Sequence, residues 1–143
     1  MNVNPAQARQ RFVTAAVARM ATAGSGAQPH LVPVTFALVG DDTLVTAVDH
    51  KPKRTVALAR LANIDVNPRV SLLVDHYADD WDELWWARAD GLARVVGPDD
   101  EIVLRELALD ALAHRYHQYA ERRPAGDLIV VQVSRWSGWQ AAG

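Results

Sequence analysis

Apolar residues change spacing several times along the chain, and each change marks an element. Pro5 to about Ala16 places Ala8, Phe12, Ala15 and Ala16 on one face, which predicts a short helix whose first turn suits Pro5. Val17–Ala23 shifts to an extended pattern, and Gly24–Pro29 is a turn by its Gly and Pro content. His30–Val39 predicts a strand, with Pro33 pointing to an edge, a bulge or a break in pairing. Gly40–Asp42 is a hairpin turn, and Thr43–Val48 is the returning strand.

Helical spacing returns over Arg54–Ile64, with Ala57, Leu58, Leu61 and Ala62 on one side. Asn67–Arg69 turns the chain into a strand over Val70–Tyr77, and Ala78–Glu83 is an acidic loop. Leu84–Val96 predicts a long strand with a bulge at Gly91. Asp99–Arg122 predicts a helix with acids at its start and Arg122 at its end, as the helix dipole prefers. Pro124 and Gly126 stop it, and Asp127–Trp136 is the last strand, followed by a tail from Ser137. One helix, three strands, a helix, two strands, a helix and a strand predict one α+β domain over residues 1–143. Its antiparallel sheet is expected to close into a small barrel with flanking helices.

Composition narrows the function classes. The chain has 143 residues, a net charge of −2 and no cysteine. The charge argues against a nucleic-acid partner, and the missing thiols exclude disulfides, thiolate zinc sites and a cysteine nucleophile. Arg9, Gln10, Arg11 and Arg19 break up the N-terminal apolar residues. No secretory signal or membrane span is therefore expected, and the expected location is the cytoplasm. His114 and His117 lack an acidic zinc signature, so no metal is expected. None of Ser25, Ser71, Ser134 and Ser137 has a nucleophile-elbow context.

Lysine usage singles out one stretch. The only two lysines are Lys51 and Lys53, beside Arg54, in TAVDHKPKRT (Thr46–Thr55). They follow a strand and enter a helix, whose N-terminus already carries positive character. Three cations there suit a bound anion, because free backbone N–H groups and the dipole favour one. The alternative is a solvated basic corner paired with Asp79–Glu83. No glycine-rich run precedes the lysines, so this is not a nucleotide P-loop.

The segments PHLVPVTFAL (Pro29–Leu38), LVTAVDHKPKRT (Leu44–Thr55), NPRVSLLVDHY (Asn67–Tyr77), LWWARADGLARVV (Leu84–Val96) and RWSGW (Arg135–Trp139) follow one another in a recognisable order. Together they resemble the pyridoxamine 5′-phosphate oxidase-like split β-barrel superfamily, in particular its branch of coenzyme F420 (deazaflavin)-dependent oxidoreductases. That resemblance implies an FMN-binding-type split barrel and a homodimer with cofactor sites at the interface. Lys53 matches the family's phosphate-binding lysine, with Lys51, Pro52 and Arg54 around it. The backbone of Thr46, Ala47, Val48, Asp49 and His50 would line the ring system and ribityl chain. Flavin-binding members usually carry an Arg in the strand that here reads LVPVTF. This chain has apolar residues and Thr35 there, which favours F420 over FMN and argues against pyridoxamine-phosphate activity.

Other candidates keep two readings each. His50 and His76 can hydrogen-bond a ring carbonyl or supply a proton, or be structural. Trp139 is a candidate pocket wall. Trp85 and Trp86 suit dimer or core packing. Arg60 and Arg69 can reach an anionic cofactor tail, or Arg69 can pair with a nearby acid. The implied reaction is hydride transfer between F420 and a small unsaturated or quinone-like substrate, with no single catalytic side chain assigned. The alternatives are an FMN-binding oxidoreductase of the same fold and a non-catalytic cofactor carrier.

Overall fold

The computed structural model describes residues 1–48 and 54–142, with the backbone alone at residues 54–58. Its elements are α1 (Pro5–Thr14), β1 (Ala18–Ala23), β2 (Pro29–Val34), β3 (Ala37–Val39), β4 (Thr43–Ala47), α2 (Arg54–Val66), β5 (Arg69–His76), β6 (Trp85–Val96), α3 (Ile102–Arg115), α4 (His117–Glu121) and β7 (Leu128–Gln140). All strand pairs are antiparallel, in one seven-stranded sheet of order β2-β1-β5-β6-β7-β4-β3. The two edge strands, β2 and β3, are separated in sequence only by Thr35 and Phe36. Three Cα steps reach about 11 Å at most, so the sheet has to curl until its edges meet at that bend. The result is the expected α+β architecture, an antiparallel split barrel with flanking helices.

Local chemistry explains much of this. Asn4 and Gln7 form a reciprocal capping box at the start of α1, and Pro5 occupies the first turn. Gly40 takes φ 69° between β3 and β4, a backbone conformation that favours glycine. Pro33 lies in β2, an edge strand, where its missing N–H disrupts no interior ladder. The β6–β7 register shifts between Asp90 and Gly91, where a bulge was expected. The extra residue, however, is on β7: Asp90 pairs with Arg135 and Gly91 with Val133, which leaves Ser134 between them.

Three sequence expectations change. The strand over His30–Val39 is two strands, because the backbone at Phe36 is taken by side chains from the end of α3. Phe36 N donates to Tyr116 Oη (3.1 Å), and Phe36 O accepts from Arg115 Nη1 (3.0 Å). The helix over Asp99–Arg122 begins only at Ile102 and breaks at Tyr116, which is extended (φ −121°, ψ 117°). The last strand continues past Trp136 to Gln140, with Trp139 opposite Trp86. Gly138 permits this, since a Cβ there would lie 2.8 Å from Trp86 O and 2.7 Å from the Val3 side chain.

Two cores result. In the larger, the fully buried Phe12 of α1 meets Phe36 (5.7 Å between centroids) and Trp136 (5.3 Å) edge to face, above Met20, Leu44 and Leu72. Trp136 Nε1 donates to the Asp42 carboxylate at 2.9 Å, which satisfies its one polar atom. The smaller core packs Leu109 and Leu112 of α3 against Val45, Leu128 and Val130. Burying each such side chain contributes about 1.5–3 kcal/mol. Among the described residues no helix is long and apolar enough to cross a membrane.

Candidate functional site

A cavity of about 210 Å³ opens where β4 ends. Thr46 and Ala47 reach it from β4, Arg60 from α2, Pro33 and Thr35 from the β2–β3 bend, and Tyr119 from α4. The strand end is fixed on both sides: Ala47 pairs with Leu128, and Val48 N donates to Asp127 O at 3.1 Å. Thr46 is 1% exposed and Arg60 8%. Arg60 is always protonated, so it places a guanidinium in the cavity wall. No acidic side chain among the described residues lines it.

The break between α3 and α4 sets the position of Tyr119. Three consecutive contacts clip this kink to the β2–β3 bend. Thr35 Oγ1 and Tyr119 Oη lie 3.0 Å apart, Tyr116 Oη bonds Phe36 N and O, and Arg115 bonds Phe36 O. Arg115 also donates to Phe12 O (3.2 Å) and Ala15 O at the end of α1, and its guanidinium stacks 4.3 Å from the Phe36 ring centroid. Tyr116 donates to Ala16 O (2.8 Å) as well as Phe36 O (3.0 Å), so one proton is shared between two carbonyls. Burial raises the Tyr116 pKa above its ordinary value, against a smaller opposing effect of the Phe36 backbone bond. The hydroxyl therefore stays protonated and donating at neutral pH.

Of the sequence-derived candidates, Thr46, Ala47 and Arg60 line this one cavity. Val48 is half-buried beside it. Asp49, His50, Lys51, Pro52 and Lys53 lie outside the described residues, and of Arg54 only the backbone is described, as the first residue of α2. His76 and Trp139 are not brought to the cavity within one chain. His76 pairs with Trp85 at the far end of β5, and Trp139 lies eleven residues along β7 from Leu128. That separation is roughly 30–36 Å along the strand. His76 stacks on Trp85 (6.2 Å), and the Arg11 guanidinium covers the same ring (4.5 Å). The acidic loop also sits at that far end, between β5 and β6. Arg69 lies apart, in an open cleft of about 500 Å³ with Ser71, Asp90 and Ser134, where Ser71 Oγ donates to Asp90 at 2.6 Å.

Trp86 lines a smaller cleft with Leu73, Tyr77 and Arg88. His114 and His117 are exposed, and among the described residues no group of three His, Asp or Glu is placed to hold a metal ion. Sequence reasoning missed Tyr119 as a site residue. Its partner Thr35 is 84 positions away, and no local pattern signals that contact.

Residues 5–140 match a family model described as pyridoxamine 5′-phosphate oxidase. No curated protein matches the sequence. Among solved structures, the conserved hypothetical protein Rv2991 of Mycobacterium tuberculosis superposes with a TM-score of 0.70 at 20% identity, covering 97% of this chain and 86% of that one. A FAD-binding protein of Mesorhizobium loti gives 0.69 at 21% identity, covering 96% and 95%. HutZ, the heme storage protein of Vibrio cholerae, gives 0.66 at 16% identity, covering 98% and 95%. At these identities the likeness is one of fold.

Proposed function

Since the chain belongs to the pyridoxamine 5′-phosphate oxidase family, we propose that it is a coenzyme F420-dependent oxidoreductase, moving a hydride between the deazaflavin and a small unsaturated or quinone-like substrate. The observation that carries this reading is the cavity at the end of β4. There the strand end, Thr46–Ala47, and the buried cation Arg60 line one space. In the sequence this strand end leads directly into Lys51, Lys53 and Arg54. The donor set fits an anionic redox cofactor: a strand end that can position a flat ring, and cations for its phosphate. The acidic loop lies at the opposite end of β6 from Val96, the residue that pairs with Leu128 beside Ala47.

In this reading Lys53, flanked by Lys51, Pro52 and Arg54, holds the phosphate. The backbone from Thr46 to His50 positions the ring, and Pro33, Val34 and Ala47 keep water from it. The cofactor supplies the hydride, and the protein supplies position and electrostatics. His76 and Trp139 lie too far from the cavity to act in the same chain, so they would serve the site of a second copy. That fits a homodimer in which the outward sheet face, with Leu31, Leu73 and Tyr77 exposed, is covered.

An FMN-binding oxidoreductase is the second reading, favoured by the likeness to a FAD-binding protein. Against it stands β2, Pro29–Val34, which carries no Arg to reach an FMN phosphate. Absorbance-monitored titration with F420, FMN and FAD separates these readings. Saturable binding of F420 with turnover on a quinone supports the proposal. Tight binding without turnover on a broad acceptor panel makes the protein a carrier, and micromolar FMN binding with no F420 binding overturns the proposal.

A further inference from the structure

A groove of about 670 Å³ lies between α1 and the end of α3, over the edge strand β3. Arg9 and Val13 line it from α1, Ala37 and Leu38 from β3, and Ala111 and Arg115 from α3. It shares no lining residue with the cavity at the end of β4. It lies toward the other end of the β3–β4 hairpin, where Arg9 holds the turn.

Both guanidiniums of the groove are fixed by backbone. Arg9 donates from Nε to Asp41 O (2.6 Å) and from Nη2 to Gly40 O (2.7 Å). Arg115 donates from Nη1 to Phe36 O (3.0 Å) and from Nη2 to Phe12 O (3.2 Å) and Ala15 O. These bonds leave the Nη1 donors of Arg9 and the Nε–H of Arg115 over. A carbonyl orients a guanidinium but does not cancel its charge. Among the described residues neither arginine forms an ion pair with a carboxylate. The nearby acids are turned to other work: Asp110 pairs with Arg123 at 2.7 Å, and Asp42 accepts from Trp136 Nε1 at 2.9 Å. Asp41 gives Arg9 its carbonyl, not its carboxylate.

The rest of the wall is apolar. Ala37 is buried, Leu38 packs against the larger core, and Val13 is left 43% exposed on the wall from α1. A few placed polar groups over apolar walls, in a space within about 300–1,000 Å³, is the usual make-up of a small-molecule site. The planar fork of an arginine matches the two oxygens of a carboxylate. Charge and wall together call for a ligand with an acid at one end and a short apolar body.

We propose that this groove binds a small organic carboxylate, with Arg9 and Arg115 as its charge partners and Val13, Ala37, Leu38 and Ala111 against its apolar body. The ligand would join α1 to the α3–α4 kink, the same elements that Arg115 already ties. Binding there stabilises the folded chain and needs no redox cofactor.

The test uses the whole chain, isotope-labelled, titrated with sodium hexanoate at constant ionic strength. Magnetic resonance follows the amides of Leu38 and Ala111 and the Nε–H of Arg9. Saturable shifts at these positions are expected, with a rise in Tm. Hexanamide keeps the body without the charge and should bind about tenfold more weakly or worse. Acetate keeps the charge without the body and should also lose about tenfold or more. Arg9→Gln should weaken hexanoate about tenfold or more and leave hexanamide unchanged. Ala111→Phe fills the groove and should abolish the shifts; if that variant unfolds, Arg9→Gln still decides.

No saturable shift with hexanoate would overturn the proposal, as would equal affinity for hexanoate and hexanamide or unchanged affinity in Arg9→Gln. Shifts at Thr46 in place of Leu38 would put the acid in the other cavity and overturn it as well. Because the probes need no deazaflavin, a failure of F420 binding bears on the proposed function alone.

Discussion

Replacing Arg115 with Met tests whether the clip between the α3–α4 kink and the β2–β3 bend holds the fold together. The guanidinium donates to Phe36 O at 3.0 Å, to Phe12 O at 3.2 Å and to Ala15 O, and stacks on Phe36. Bonds from a charged donor contribute about 1.5–3 kcal/mol each, so the gross loss is about 4.5–9 kcal/mol. Part of that is recovered. Phe36 O keeps its bond from Tyr116, Ala15 is only half-buried so water can solvate its carbonyl, and Met retains most of the apolar stem packing. The expected net cost is about 2–4 kcal/mol. Chains somewhat larger than this one lose about 2–4 °C of Tm per kcal/mol, which gives a fall of about 4–16 °C. Urea denaturation followed by circular dichroism, with calorimetry for Tm, measures it. A loss below about 1 kcal/mol, within the range of an ordinary surface change, would refute the claim that this residue ties α1 to the bend.

Tyr116→Phe removes the hydroxyl that serves Ala16 and Phe36 and should cost about 1–2 kcal/mol. Because burial raises the folded pKa of Tyr116, its contribution is complete below the ordinary value of 10.0 and is lost as pH rises through the folded value. The urea midpoint of the wild type should therefore drop as pH rises above 10.0 toward the folded value, and an equal drop in Tyr116→Phe would contradict the assignment. Gly91→Ala places a Cβ against the Gln132 carbonyl at the bulge. It should cost about 1–3 kcal/mol in urea unfolding, and a neutral result would mean that the bulge relaxes freely.

Signals carried within a few residues were legible in the sequence. The helix start at Pro5, the Gly40 turn, the edge position of Pro33 and the register shift at Asp90/Gly91 all depend on local chemistry. The break at Thr35–Phe36 and the kink at Tyr116 were not. Each exists because of the other, across about 80 residues, and neither segment contains a breaker at the point where it breaks. The same contact hid Tyr119, whose place in the cavity follows from the kink. Ser137–Gly138 read as a tail because Gly usually marks a turn, whereas here it lets β7 pass close to Val3 and Trp86. Thr46, Ala47 and Arg60 were named separately, from a strand end and a helix, and they line the same cavity. His76 and Trp139 were named with them, but strand length places both at the opposite end of the sheet.

The most direct measurement is a paired titration of wild type and Lys53→Ala with F420 and FMN, read by absorbance and by thermal unfolding. The wild type should bind F420 saturably and FMN far more weakly. Lys53→Ala should lose about 1.5–3 kcal/mol of F420 binding, roughly 10- to 150-fold in Kd, with its Tm unchanged in the absence of ligand. Unchanged F420 affinity together with a lower Tm would make the cation cluster structural, and FMN binding without F420 binding would assign the site to a flavin.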